Sequence, residues 1–222
     1  MCSFGLAMTL SLRTWQLRTL VNPLLVGKFA GTEAVAFVAV AIRIAESLGT
    51  FRLAAGRIAI AALARLQEQR EKFRSALENA LFLQVITLGP LLSIFALAGP
   101  FVFRHVVGAK WTPSLAVYPF VAAGVLVNSV YNLQASALFV LERHWIVMRC
   151  YTAHVVLLGA GTWFLLPRWG IVGYGLAELV ACCAYYAIHR GVSGVLHLSC
   201  RKILLPAAAF TAILFLPRLI VK

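Results

Sequence analysis

The sequence predicts an all-α fold, a polytopic membrane helix bundle of about seven transmembrane helices, with a six-helix bundle over 1–190 and one additional helix over 191–222. Three observations predict it. Hydrophobic residues fill 62% of the 222 positions and charged residues only 12%, against roughly 45–50% and roughly 25% in soluble proteins. The mean hydropathy is +0.90. The apolar residues also fall in runs of about 20, the length a helix needs to cross a hydrocarbon core of about 30 Å. A globule of this length has too little interior to hide so much apolar surface, which disfavours a soluble enzyme, a disordered tail and a disulfide scaffold.

The segments follow in order. The first run, 4–26, closes before the breaker Gly31-Thr32. The second, 33–53, is expected to continue to Ala64 as an amphipathic extension, and the charged stretch from Arg65 to Arg74 separates it from the third, 81–103. Gly99-Pro100 and Thr112-Pro113 mark the next turn. The fourth run, 115–141, is long and contains Pro119, so its start is expected at the interface. The fifth, 146–166, and sixth, 171–189, are parted by Pro167 to Gly170, and Gly191 is read as the break before the seventh, 203–221.

Twenty Lys and Arg against seven acids, all Glu, leave a net charge of +13. A nucleic-acid protein collects its bases into one stripe; here most lie between apolar runs, where they mark the ends of spans. With the N-terminus placed in the cytoplasm, the inner loops hold nine bases (Arg65, Arg70, Lys72, Arg74, Arg143, Arg149, Arg190, Arg201, Lys202) and the outer side six (Lys28, Arg104, Lys110, Arg168, Arg218, Lys222). The positive-inside bias therefore favours an inner N-terminus and an outer C-terminus. No base precedes Arg13, so a cleavable signal peptide is not expected. The five cysteines (Cys2, Cys150, Cys182, Cys183, Cys200) show neither CxxC nor zinc-finger spacing and read as small apolar helix residues.

Five bases remain: Arg13, Arg18, Arg43, Arg52 and Arg57. A charge at bilayer depth costs at least about 2.5–3.5 kcal/mol. Counted from the outer ends, Arg18 lies about 12 Å deep, Arg43 about 15 Å and Glu46 about 20 Å. Snorkelling accounts for Arg52, Arg57 and Arg13, not for Arg18 and Arg43. On the second helix Arg43, Glu46, Thr50 and Arg57 share a stripe about 60° wide. Two readings stand: a self-neutralised Arg43–Glu46 pair with snorkelling bases, or a cationic cavity wall, from Arg18, Arg43 and Arg57, for an anionic ligand such as a phosphate, which the guanidinium fork binds bidentately.

Other polar residues at depth are weighed in the same way. Asn128, Asn132 and Ser136 recur at four-residue steps, as interhelical hydrogen-bond glue or as cavity lining. Glu178, two turns inside the sixth span, is a candidate ion-coupling carboxylate or a hydrogen-bonded structural Glu. His154, mid-span in the fifth, is a second ion-coupling candidate whose bland reading is packing. Gly173-xxx-Ala177 is a small-residue face for a close helix neighbour; the surrounding glycines do not follow a strand and fail the dinucleotide spacing. No nucleophile elbow, zinc, phosphate-loop or kinase motif occurs, so no catalytic residue, metal or cofactor is expected.

Several stretches resemble a known family. "LVNPLLVGKFAGTEAVAFVAVAIRI" over 20–44 is similar to its seventh-span exit, and "IAALARLQEQREKFRSAL" over 60–77 to the basic link that follows. "HVVGAKWTPS" over 105–114 resembles its Gly-x-x-Trp loop, and "LLPRWGIVGYGLAELV" over 165–180 its late Gly-rich turn. The chain thus resembles the C-terminal half of polysaccharide exporters, the lipid-linked oligosaccharide (O-antigen type) flippases of the multidrug/oligosaccharidyl-lipid/polysaccharide exporter superfamily. The resemblance implies two six-helix bundles around a cavity that opens alternately to each side of the bacterial inner membrane. It implies as cargo an isoprenoid-diphosphate-linked oligosaccharide, and as partners the lipid bilayer and a missing N-terminal bundle or second chain. The expected function is translocation of that anionic lipid-linked oligosaccharide. The alternatives are a membrane-embedded enzyme on lipid-linked sugars, for which Glu142, Arg143 and His144 are the compact candidate, and an inactive truncated remnant.

Overall fold

The computed structural model describes residues 13–50, 61–66, 68–198 and 201–220, with positions 9 and 58 singly. Among these residues the chain forms helices joined by short turns, with no strand. Five helices are long and apolar enough to cross a membrane: α1 (Arg13–Leu48), α2 (Arg70–Val107), α3 (Ser114–Val140), α4 (His144–Trp169) and α5 (Ile171–Leu196). A sixth, α6 (Arg201–Ile220), carries the shorter apolar stretch Lys202–Pro217. Large apolar side chains such as Leu24, Leu83, Ile94, Phe101, Phe164 and Leu205 are exposed around the bundle. So much outward apolar surface suits acyl chains, not water. The chain is a multi-pass, all-helical membrane protein.

Helix α1 holds the first two predicted segments. At Gly31, φ is 85° and ψ is 173°, a conformation that glycine adopts without a Cβ penalty, and the helical ladder breaks there. The two arms fold back on each other: Asn22 Nδ2 donates to Val35 O at 3.2 Å, and Arg18 pairs with Glu46. With the arms taken separately, the helices account for the seven segments marked by the apolar runs. In the first arm, Asn22–Val26 form a π-helical turn with Pro23 near its start. Pro23 has no N–H to give, and the widened turn carries the proline through the span.

Two expected boundaries are corrected; Pro119 lies inside α3, which begins at Ser114 and runs through it. The helix that carries the third span begins at Arg70 rather than near 81, because no breaker separates the charged stretch from the apolar run. Gly191 does not end the sixth span. The helix continues to Leu196, and a Cβ at Gly191 would sit 3.0 Å from Ile146 Cδ1, so this glycine serves packing. Residues 51–57, including Arg52 and Arg57, lie outside the described residues, as do Cys2, Cys200, Lys222 and the first residues of the first span.

α3 is the most buried of the five long helices and packs against α1, α2 and α5. α4 and α5 form the tightest hairpin: a Cβ at Gly173 would lie 2.4 Å from Leu165 O, and one at Gly161 3.0 Å from Ala177 Cβ. That is the close approach expected of the Gly173-xxx-Ala177 face. One apolar cluster (Val38, Leu92, Val121, Leu158 and Ala177 among its members) joins α1 to α2, α3, α4 and α5; a second, around Phe73, Leu81, Leu138 and Val192, joins α2 to the other end of α3 and α5. Between the α1 hairpin and the α3–α5 wall the packing leaves a polar opening.

Candidate functional site

That opening is a cavity of about 340 Å³, walled by Arg18 and Asn22 from the first arm of α1, Arg43 and Glu46 from the second, Val121 and Val125 from α3, and Tyr174 and Glu178 from α5. Arg18, Thr19, Arg43 and Glu46 also line an adjoining chamber of about 470 Å³. This outer chamber extends past Trp15 to Gly49 and Thr50, the end of α1 away from Gly31. Arg43, Glu46 and Thr50, expected on one helical stripe, face the same space. Arg57 of that stripe lies outside the described residues.

Arg18 is the centre of the site. Its Nη2 lies 2.5 Å from Glu46 Oε1 and its Nη1 3.3 Å from Glu178 Oε1, while Cζ sits 4.6 Å from the centroid of the Trp15 ring. The Arg18 side chain is 14% exposed, Glu178 8% and Glu46 41%. A guanidinium that would be costly alone in hydrocarbon is thus shared by two carboxylates and an aromatic face. Glu178 has room because α3 presents Gly124 to it; a Cβ there would lie 2.9 Å from Glu178 Cγ.

Two expectations are corrected by this arrangement. Glu46 pairs with Arg18 across the hairpin, not with Arg43 three residues away on its own helix. Among the described residues the wall is balanced, two arginines meeting two glutamates. Arg43 is exposed on the wall and makes no ion pair or hydrogen bond among the described residues. It is the arginine left open in the cavity.

The remaining candidates lie elsewhere. Asn128 Nδ2 donates to Tyr185 Oη at 2.8 Å, and the Asn132 carbonyl accepts from Ser136 Oγ at 3.0 Å; neither asparagine lines the cavity. His154 is fully buried, with Nδ1 3.2 Å from Ala181 O and its ring against both Trp15 and Tyr185, at 5.0 and 5.1 Å. It backs the platform on which Arg18 rests and does not line the cavity. The residues that charge counting missed are Asn22, Tyr174 and Trp15. Asn22-Pro23 inside an apolar run was the available signal, since a proline there forces backbone and side chain to seek other partners.

Arg18 and Arg43, Glu46, Glu178 and Asn22, set in a bundle of long apolar helices, define a class: a multi-pass membrane protein with a cavity lined by charged side chains. A family model described as polysaccharide biosynthesis protein matches residues 1–116, which include all of the cavity residues contributed by α1. The chain belongs to the polysaccharide biosynthesis protein family and has the exporter-type role of a membrane protein in that process. No curated protein and no solved structure matches the chain.

Proposed function

We propose that the chain is a transporter bundle that moves an anionic, lipid-linked oligosaccharide across the bacterial inner membrane, from the cytoplasmic to the outer leaflet. The observation that carries the reading is Arg43, an open guanidinium on a cavity wall at membrane depth. An isoprenoid diphosphate supplies the oxygens that such a fork binds, and its lipid tail stays in the surrounding hydrocarbon. Arg18 stays clasped by Glu46 and Glu178 and holds the α1 hairpin to α5. The N-terminus lies in the cytoplasm, so the chamber beside Thr50 faces inward. Access alternates by rocking of this bundle against a second one, supplied by a preceding segment or another chain. No covalent step is needed; the cargo changes place only.

The test is a flipping assay in vesicles containing the full exporter. Arg43→Ala is expected to lower transport about 10–100-fold, the effect of losing one charge-assisted hydrogen-bond pair of about 1.5–3 kcal/mol. Wild-type transport by a stably inserted Arg43→Ala protein removes Arg43 from the mechanism. Conversion of a labelled lipid-sugar into a new product would replace the transport reading with an enzymatic one.

A further inference from the structure

Arg43 and Glu46 stand three residues apart on the helical second arm of α1, a spacing at which an arginine and a glutamate can pair on one helix face. The pair does not form. Glu46 turns instead to Arg18 across the hairpin, with Oε1 2.5 Å from Arg18 Nη2, and Arg43 stays exposed without an ion pair or hydrogen bond among the described residues.

Arg18 wins this competition for reasons the geometry shows. Its side chain is only 14% exposed, so its attraction for a carboxylate is screened less than that of the exposed Arg43. Its guanidinium is also held in place beforehand. Cζ lies 4.6 Å from the centroid of the Trp15 ring, three residues earlier on the same arm, and Nη1 lies 3.3 Å from Glu178 Oε1. Trp15 is itself packed against Tyr151 and His154, each with its ring centroid 5.0 Å away. Glu46 therefore meets a fork already ordered, whereas pairing with Arg43 would order two long side chains at the cavity's open side.

The consequence lies with Arg43. An anion at this guanidinium has to displace any carboxylate paired with it, and Glu46 is the rival one turn away. We infer that Arg18 is a positioning residue: by taking the Glu46 carboxylate it keeps Arg43 unpaired for the anion of the cargo, and Trp15 and Glu178 serve that anion site by holding Arg18. This rests on the proposed reading of Arg43 as the anion site and adds to it the group that keeps the site open.

The test measures binding of a farnesyl-diphosphate-linked sugar to the full chain in nanodiscs. Arg18→Met/Glu178→Gln removes the clasp without stranding a buried acid. It deletes one positive and one negative charge, so the summed formal charge of Arg18, Arg43, Glu46 and Glu178 is unchanged. Glu46 is then free to turn to Arg43, and affinity is expected to fall about fivefold. Adding Glu46→Gln removes the rival and restores the affinity. The gain from Glu46→Gln is expected to be about fivefold larger in this background than in wild type, where Arg18 already holds the acid. Equal gains in the two backgrounds would mean that only net charge matters, and overturn the inference. So would a double variant that binds as wild type does, which makes Arg18 structural alone. A loss that Glu46→Gln does not recover overturns it too, because Arg18 would then hold the anion itself. Should the double variant fail to insert, Arg18→Gln/Glu178→Gln, whose amides can bond each other, takes its place in the same comparison. Failure of the wild type to bind the probe, or undiminished binding by Arg43→Ala, overturns the anion reading itself, and the inference with it.

Discussion

Replacing Arg18 by methionine keeps an unbranched side chain of similar reach and deletes the charge that two acids share. The consequences for those acids differ. Glu46 is 41% exposed, and water can take the place of its partner; Glu178 is 8% exposed and loses its 3.3 Å contact with nothing to replace it. Breaking a buried pair by removing one member costs about 3–5 kcal/mol, and the wet Glu46 puts this case near the lower end, about 3 kcal/mol. Neutralising the stranded acid as well, in Arg18→Met/Glu178→Gln, removes the main penalty, so the double variant is expected within about 1 kcal/mol of wild type. Adding Glu178→Gln to Arg18→Met is then expected to restore about 2 kcal/mol. For a chain of this size about 2–4 °C accompanies each kcal/mol, so thermal unfolding in nanodiscs should show Arg18→Met about 6–12 °C below wild type and the double variant recovering most of that loss. A double variant that melts as low as Arg18→Met would show that Glu178 carries no stranded charge beside Arg18, and the clasp would lose its energetic basis.

Gly124→Ala places a Cβ 2.9 Å from Glu178 Cγ and must push that side chain away from Arg18. Overpacking of this kind costs about 1–3 kcal/mol, and the loss measured by thermal unfolding should vanish in a Glu178→Ala background. Asn128→Leu deletes the bond to Tyr185 Oη outside the cavity; it should lower Tm by about 2–4 °C, the cost of about 1 kcal/mol, with transport unchanged in the flipping assay. Arg43→Ala should be the converse, with Tm within about 2 °C of wild type and transport impaired, because an exposed side chain with no partner among the described residues contributes little to stability.

Segment existence was legible because the bilayer imposes one length on every crossing, and the apolar runs obey it. The break at Gly31 was legible too, since a Gly-Thr step between two such runs offers a turn. Gly191 misled for a physical reason: a glycine at a helix end and a glycine under a neighbour's side chain look alike in one dimension. The site was half visible. The cost of charge in hydrocarbon pointed to Arg18, Arg43, Glu46 and Glu178 as residues needing an explanation, and the cavity gathers all four. Their pairing was not visible. Helical periodicity relates Glu46 only to residues a turn away, so it nominated Arg43, whereas Arg18 is brought to Glu46 by the hairpin and to Glu178 by α5, 160 positions along the chain. Asn22 escaped because a single amide in an apolar run carries no charge to be counted.

The charge balance also orients the proposed cargo. Among the described residues, Arg18 with its two acids carries one formal negative charge in excess, and Arg43 balances it; in the proposed reading an anion is therefore drawn to Arg43 and not to the cluster. Arg43 lines both chambers, whereas Asn22 lines only the inner one. Moving the positive charge within the cavity, by Arg43→Gln with Asn22→Lys, should abolish binding of a farnesyl-diphosphate-linked sugar at the Arg43 wall, although the summed charge of the cavity is unchanged. Retained affinity in that variant would mean that only net charge matters, and that the place of the guanidinium does not.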